Sequence, residues 1–194
     1  LFSALPKQVF WPQLPVRFLA VSGPVAWFME QSLGQRPPVL RPGIDLGLFH
    51  AGPGKPAGPL RVAWMPRKNK ALAQQIRAVF ETRNGPDRAR FVEIDGLSAQ
   101  GVAEALRSAH VFLVTGFPEG CPLPPLEALA CGCLCVGFSG FGGWDYMRQA
   151  QEAPRFKPWW PLREVPWSGN GLWCADGDVL DAALNLETAL AWIE

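Results

Sequence analysis

Long apolar runs are missing from this chain. None approaches the roughly 18 residues that carry a helix across a bilayer, and no charged segment followed by an apolar stretch marks a secretory leader. A cytoplasmic location is the resulting expectation. An excess of one charge sign is missing too: 18 basic residues stand against 17 acidic ones, for a net charge of +1, which excludes the basic field of a nucleic-acid binder. Imidazole is scarce, with only His50 and His110. Neither stands where a catalytic base would, and both are expected to be structural. The five cysteines are an odd number, and Cys131, Cys133 and Cys135 alternate along the chain without a nearby histidine to complete a metal shell. Small buried thiols are therefore expected there.

What is abundant is tryptophan, nine copies against a single tyrosine, together with 20 glycines and 20 prolines. In 194 residues, enough to bury a core, this describes a loop-rich α/β domain with aromatic plugs. After a proline-bearing start, a strand is expected at Val16–Val21, and a helix from Pro24 to Leu33 between a Ser22 cap and Gly34. Residues 35–60 are rich in proline and glycine and read as a connection. From there strands and helices alternate: strands at 61–65, 91–94, 111–115, 134–138 and 172–175, and helices at 71–82, 98–108, 126–131, 143–153 and from 178 onward. Without hairpin signals between them, the expected architecture is a Rossmann-like parallel sheet flanked by helices.

The most informative stretch is 116–132. The β-branched, apolar strand Val111–Thr115 runs into Gly116-Phe117-Pro118-Glu119-Gly120-Cys121-Pro122, and a helix follows with Pro124 and Pro125 in its first turn and Gly132 behind it. The first amides of a helix lack partners within it and point with the positive end of its dipole, so they favour an anion. Because prolines donate nothing, the amides on offer belong to Gly120, Cys121, Leu123 and Leu126. Glu119 in the loop and Glu127 on the helix are carboxylates suited to vicinal hydroxyls. Arg67-Lys68-Asn69-Lys70, between the first strand of the domain and its helix, is expected on the same edge of the sheet, where Arg67 and a lysine, Lys70 or Lys68, would neutralise a diphosphate. Phosphate on the helix end and hydroxyls on the acids describe a nucleotide sugar. Each feature also has a plain alternative. The glutamates would be surface carboxylates, the basic run a solvated turn, and Gly142-Gly143 simply a tight turn, which is compatible with a close approach to a ligand.

Four segments, in order, resemble retaining glycosyltransferases of the GT-B fold, family four type. They are Arg41-Pro42-Gly43-Ile44-Asp45 with Phe49; Glu119 and Glu127 separated by seven residues; Glu127-Ala128-Leu129-Ala130-Cys131-Gly132; and the strand 134–138 leading to Gly142-Gly143-Trp144-Asp145. The resemblance implies the C-terminal half of a GT-B architecture. Residues 1–40 would be the end of an N-terminal acceptor domain whose remainder is missing here, 41–60 the connection, and 61–194 the donor-binding domain. It also implies a hexosyl transfer from a nucleotide-diphosphate sugar to a carbohydrate or lipid-linked acceptor, as in polysaccharide or glycoconjugate biosynthesis. Peripheral membrane association would come through the missing domain. In these roles Glu127 holds the ribose and Glu119 the transferred sugar, while Arg67, Lys70 and the helix amides stabilise the departing diphosphate. Gly142 and Gly143 lie against the donor, and no metal or other cofactor is expected. The competing class is a non-catalytic binding or assembly module that uses the Trp-rich segment 158–167.

Overall fold

The computed structural model describes residue 10 and residues 13–194. Most of the proline-bearing start lies outside the described residues. Five strands form one parallel sheet: β1 (Arg61–Trp64), β2 (Arg90–Glu93), β3 (Val111–Val114), β4 (Leu134–Phe138) and β5 (Gly171–Cys174), in the order β2-β1-β3-β4-β5. Among the described residues five α-helices accompany it: α1 (Gly23–Leu33), α2 (Lys70–Asn84), α3 (Ala99–Ser108), α4 (Leu123–Ala130) and α5 (Val179–Ile193).

The strands read as continuous apolar runs because both faces of the sheet are covered. Val62, Trp64, Leu113, Phe138 and Leu172 pack with Ile76 and Phe80 of α2 and Leu186 and Leu190 of α5. Their neighbours Ala63, Phe112, Val114, Cys135 and Trp173 pack on the opposite face with Leu106 of α3, Ala128 of α4 and Trp144. The alternation follows from the two-residue period of a strand.

Local signals set the helix ends. Ser22 Oγ accepts from the Val25 amide, and Gly34 follows α1 in the left-handed region at φ 69°. Ser98 and Asp178 cap α3 and α5 in the same way, through the amides of Gly101 and Asp181. The C-terminal ends of α3 and α4 meet over Lys55, whose Nζ donates to the carbonyls of Leu106 at 3.3 Å, Arg107 at 3.2 Å and Cys131 at 2.9 Å. A cation at two converging helix C-termini is where the dipoles favour it.

Two expected elements take other forms. Val16–Val21 makes no strand; only Ala20 forms an isolated bridge, to Val39, since a lone apolar run without a ladder to join gains little from extending. Residues 143–153 hold only a 3-10 turn at Gly142–Asp145. The amides beyond it go elsewhere: Arg148 donates to Asn170 Oδ1 at 2.9 Å and Ala150 to the Gly171 carbonyl at 2.9 Å, so the chain extends beside β5 instead of coiling.

The N-terminal helix is held to the sheet domain through one buried acid. Asp145, 3% exposed, accepts from the Gly23 amide at 2.7 Å, from Arg41 Nε at 2.7 Å and from Arg41 Nη2 at 3.2 Å, with Arg163 Nε at 3.5 Å. Burial works to raise its pKa, but hydrogen bonds from Arg41 and the Gly23 amide, with the charges of Arg41 and Arg163, outweigh it and leave the carboxyl below its ordinary value. A depressed carboxyl pKa lends stability in full above the ordinary value of 3.8 and loses it as pH falls through the folded value. Asp145→Asn should therefore lower the thermal midpoint at pH 7. The gap from wild type should close as unfolding is followed down to about pH 3.

Candidate active site

The chain leaves β1 for α2 on one face of the sheet and leaves β3 for α4 on the other. In a 2-1-3-4-5 sheet this divergence opens a crevice past the carboxyl ends of β1 and β3, the place where such folds bind ligands. A cavity of about 50 Å³ lies there, with Met65, Arg67, Lys68, Thr115, Glu119 and Pro124 in its walls. It has room for a few waters or a phosphoryl group, not for a whole nucleotide.

The two loops that form the crevice are stitched together. Asn69, in the left-handed region at φ 56°, turns its amide from capping α2 to the neighbouring loop and donates to the carbonyls of Thr115 at 2.9 Å and Phe117 at 3.1 Å. Lys68 Nζ meets Glu119 Oε1 at 2.7 Å. Arg67 is exposed on the rim and makes no ion pair among the described residues. Lys70 points to the outer strand and pairs with Glu93 at 3.1 Å. Of the two lysines, the one that faces the acidic loop is thus Lys68, and Lys70 lies outside the cavity.

Glu119 has a fixed backbone. Its amide donates to the Gly140 carbonyl at 2.9 Å, its carbonyl accepts from the Gly142 amide at 3.1 Å, and Gly140 is held in turn by Asp176 Oδ1 at 2.9 Å. A Cβ on Gly142 would sit 1.9 Å from the Gly120 carbonyl oxygen, so glycine is what lets the two loops touch. Gly143 donates to the Ser139 carbonyl at 3.1 Å. Both glycine amides are thus engaged within the protein, as a tight turn requires.

The remaining sequence candidates spread over the start of α4. Gly120 backs onto Val21, whose Cγ2 would lie 2.9 Å from an added Cβ. Cys121 is half-buried, and burial, then the charge of Asp145, push its thiol up to about 11, which keeps it neutral. Leu123 is the first residue of the helix, Pro124 and Pro125 donate nothing, and Leu126 packs into the α3/α4 side of the core. Tyr146 Oη donates to the Pro122 carbonyl at 2.7 Å and fixes where α4 begins.

Glu127 is half-buried one turn into α4 and does not line the cavity that holds Glu119. Its carboxylate makes no hydrogen bond or ion pair among the described residues, and burial alone raises its pKa.

The alternate cysteines are buried together in the α3/α4 core; burial pushes Cys133 up to about 11, and its thiol donates to the Leu106 carbonyl at 3.1 Å. His110 Nδ1 accepts from the Arg61 amide at 3.1 Å, a structural role. Asp176-Gly177-Asp178 is an Asp-x-Asp triplet, but Asp176 holds Gly140 and Asp178 caps α5. Asn69, Asp145 and Tyr146 shape the site without having been given a role from sequence, although Asn69 lies in the basic turn and Asp145 in the Gly-Gly segment of the resemblance.

No family model matches the chain. Over 51 residues it is 41% identical to an alpha-1,6-glucosyltransferase of Actinobacillus pleuropneumoniae serotype 7 (strain AP76), a match covering 26% of this chain and 16% of that protein. Among solved structures it is similar to sucrose-phosphate synthase from Thermosynechococcus elongatus, with a TM-score of 0.59 at 17% identity over 89% of this chain. That likeness is one of fold. The chain spans 48% of the synthase, about half its length. Among the described residues no helix is long and apolar enough to cross a membrane.

Two substitutions test this arrangement. Gly142→Ala must push the Glu119 loop away, and should cost about 2 kcal/mol or more in urea unfolding, whereas Gly43→Ala, with open space around it, should be close to neutral. For Glu127, a raised carboxyl pKa means that stability is present below the ordinary value and lost as pH rises through the folded one. Glu127→Gln should therefore raise the thermal midpoint at pH 7, and scans at pH 4 should show little difference.

Proposed function

We propose that this chain is the donor-binding half of a retaining GT-B glycosyltransferase of the family four type. It would take a hexose from a nucleotide-diphosphate sugar and pass it to a carbohydrate or lipid-linked acceptor. The observation that carries the reading is the crevice between β1 and β3. One acid and two basic side chains from separate loops converge there, beside the N-terminus of a helix. Similarity to a protein named as a glucosyltransferase, and a fold shared with sucrose-phosphate synthase, support it. The acceptor domain, polysaccharide or glycoconjugate biosynthesis, a cytoplasmic location and contact with a membrane surface belong to the same reading.

In it, Arg67 at the rim and Lys68 in the wall meet the diphosphate, Arg67 by a bidentate fork and Lys68 as a point charge. Lys68 in turn holds Glu119 in line with the hexose hydroxyls. As the bond between the anomeric carbon and the diphosphate oxygen breaks, charge grows on the departing phosphate. In this reading Arg67, Lys68 and the amides at the start of α4 stabilise that charge. Glu127 takes the ribose diol: its half-buried carboxylate lacks donors among the described residues, and a vicinal diol supplies two. The chemistry calls for no metal, because side chains and helix dipole supply the positive charge.

A non-catalytic binding module remains the competing reading, and the exposed aromatic cluster around Trp159 is the observation on its side. Titration with uridine and guanosine diphosphates, followed by Trp fluorescence, separates the two. One of them should bind saturably, and Lys68→Met and Glu127→Ala should each weaken it about tenfold or more, while Lys70→Met should not. Absence of saturable binding by either nucleotide favours the module, and unchanged affinity in Glu127→Ala removes the ribose assignment.

A further inference from the structure

A second cavity, of about 210 Å³, opens where α1 meets the 3-10 turn and the Trp-rich segment. Trp27, Trp144, Leu162 and the guanidinium-bearing Arg36, Arg41 and Arg163 are among its walls. Positive charge there exceeds negative charge. Asp145 is shared by Arg41 and Arg163, and Glu30 pairs with Arg36 at 2.6 Å, so three cations face two acids. Arg148 lies just behind and adds another, held by the carbonyls of Trp144, Met147 and Arg163 with no acid in ion-pair contact among the described residues. Burial and the charge of Arg163 hold its pKa below the ordinary value, consistent with surplus positive potential. The three wall arginines keep 34% to 56% of their side chains exposed, so they remain open to a ligand while touching their acids.

Of the tryptophans, Trp27 and Trp144 line the cavity, and Trp144 is 1% exposed, so the accessible indole is that of Trp27. Trp27 is held from behind by Trp160, nearly parallel with centroids 6.3 Å apart at 24°, and meets the exposed Trp159 edge-on at 5.3 Å. Indole faces receive the C–H face of a pyranose while their rims keep a polar handle, and guanidinium forks receive carboxylate or phosphate. An uncharged sugar would leave the arginines unanswered, and a simple anion would leave Trp27 uncovered.

We propose that this cavity binds an anionic saccharide, a pyranose bearing a carboxylate or a phosphate, with its ring on Trp27 and its anionic group on Arg36 and Arg163. The saccharide is the acceptor in the transferase reading, and that assignment rests on the proposed function; the binding itself does not. Residues from α1, from the segment 36–41 that follows it and from 144–163 all contribute, so the site forms only where those parts meet.

The test uses the full chain with 15N-labelled tryptophan, observing indole N–H signals. The probes are a galacturonic acid trisaccharide, the matching galactose trisaccharide, glucose 6-phosphate and inorganic phosphate. The signals of Trp27 and Trp144 should move saturably with the uronic acid, with glucose 6-phosphate, or with both, which identifies the anion. The neutral trisaccharide should bind about tenfold more weakly or less well still, by the loss of charge-assisted hydrogen bonds. Arg163→Gln and Arg36→Gln should each weaken the acidic probe without affecting the neutral one; Arg36 lies outside the Asp145 cluster, so its variant leaves that clamp intact. Equal affinity for acidic and neutral sugars, inorganic phosphate binding as tightly as the sugars, shifts confined to other tryptophans, or indifference to both substitutions would each overturn the proposal. Uridine and guanosine diphosphates titrated into the same samples report on the β1/β3 crevice separately. Loss of nucleotide binding with saccharide binding kept removes the acceptor assignment and leaves this site.

Discussion

The structure depends on a divergence. α2 leaves β1 toward one face of the sheet and α4 leaves β3 toward the other, and two adjacent parallel strands whose continuations part must leave a crevice between their ends. Everything chemically notable nearby answers to that geometry. Asn69 gives up capping its own helix to bridge the gap, Lys68 crosses it to Glu119, and Tyr146 fixes the first residue of α4 through the Pro122 carbonyl. The crevice is a consequence of topology, and its polarity is a consequence of which side chains flank it.

Behind the acidic loop a second layer of constraint holds it still. The chain between β4 and the 3-10 turn runs directly against Glu119 and Gly120, closely enough that only glycine fits at 142. Asp176 pins Gly140, and Asp145 secures α1 and Arg41 a few residues further on. Loop rigidity is thus supplied by backbone contacts and by two buried or engaged acids. This leaves Glu119 to Lys68 alone, and Glu127 with no partner among the described residues. A carboxylate placed at a cost to stability is how functional positions commonly differ from structural ones.

Residues 140–145 touch the surroundings of both cavities. Gly140 and Gly142 hold the Glu119 loop, while Trp144 and Asp145 wall the arginine-rich pocket. The 3-10 turn therefore links the placement of the proposed donor site to that of α1, through contacts no longer than a hydrogen bond at each step.

The sequence by itself determined the parallel α/β sheet, because buried two-sided strands leave continuous apolar runs and helices leave a 3.6-residue pattern with Ser and Gly at their ends. It also put Glu119 in a loop and a helix start at 123–126, since glycine, proline and apolar runs are local instructions. Tertiary structure alone decided which lysine faces Glu119, because an offset of two residues at a turn sends a side chain to the crevice or to the outer strand. It alone separated Glu127 from the Glu119 cavity, and gave the amides of 148 and 150 to the segment before β5 in place of a helix. Such outcomes depend on partners 20 to 120 positions away, a competition that no local window of residues contains.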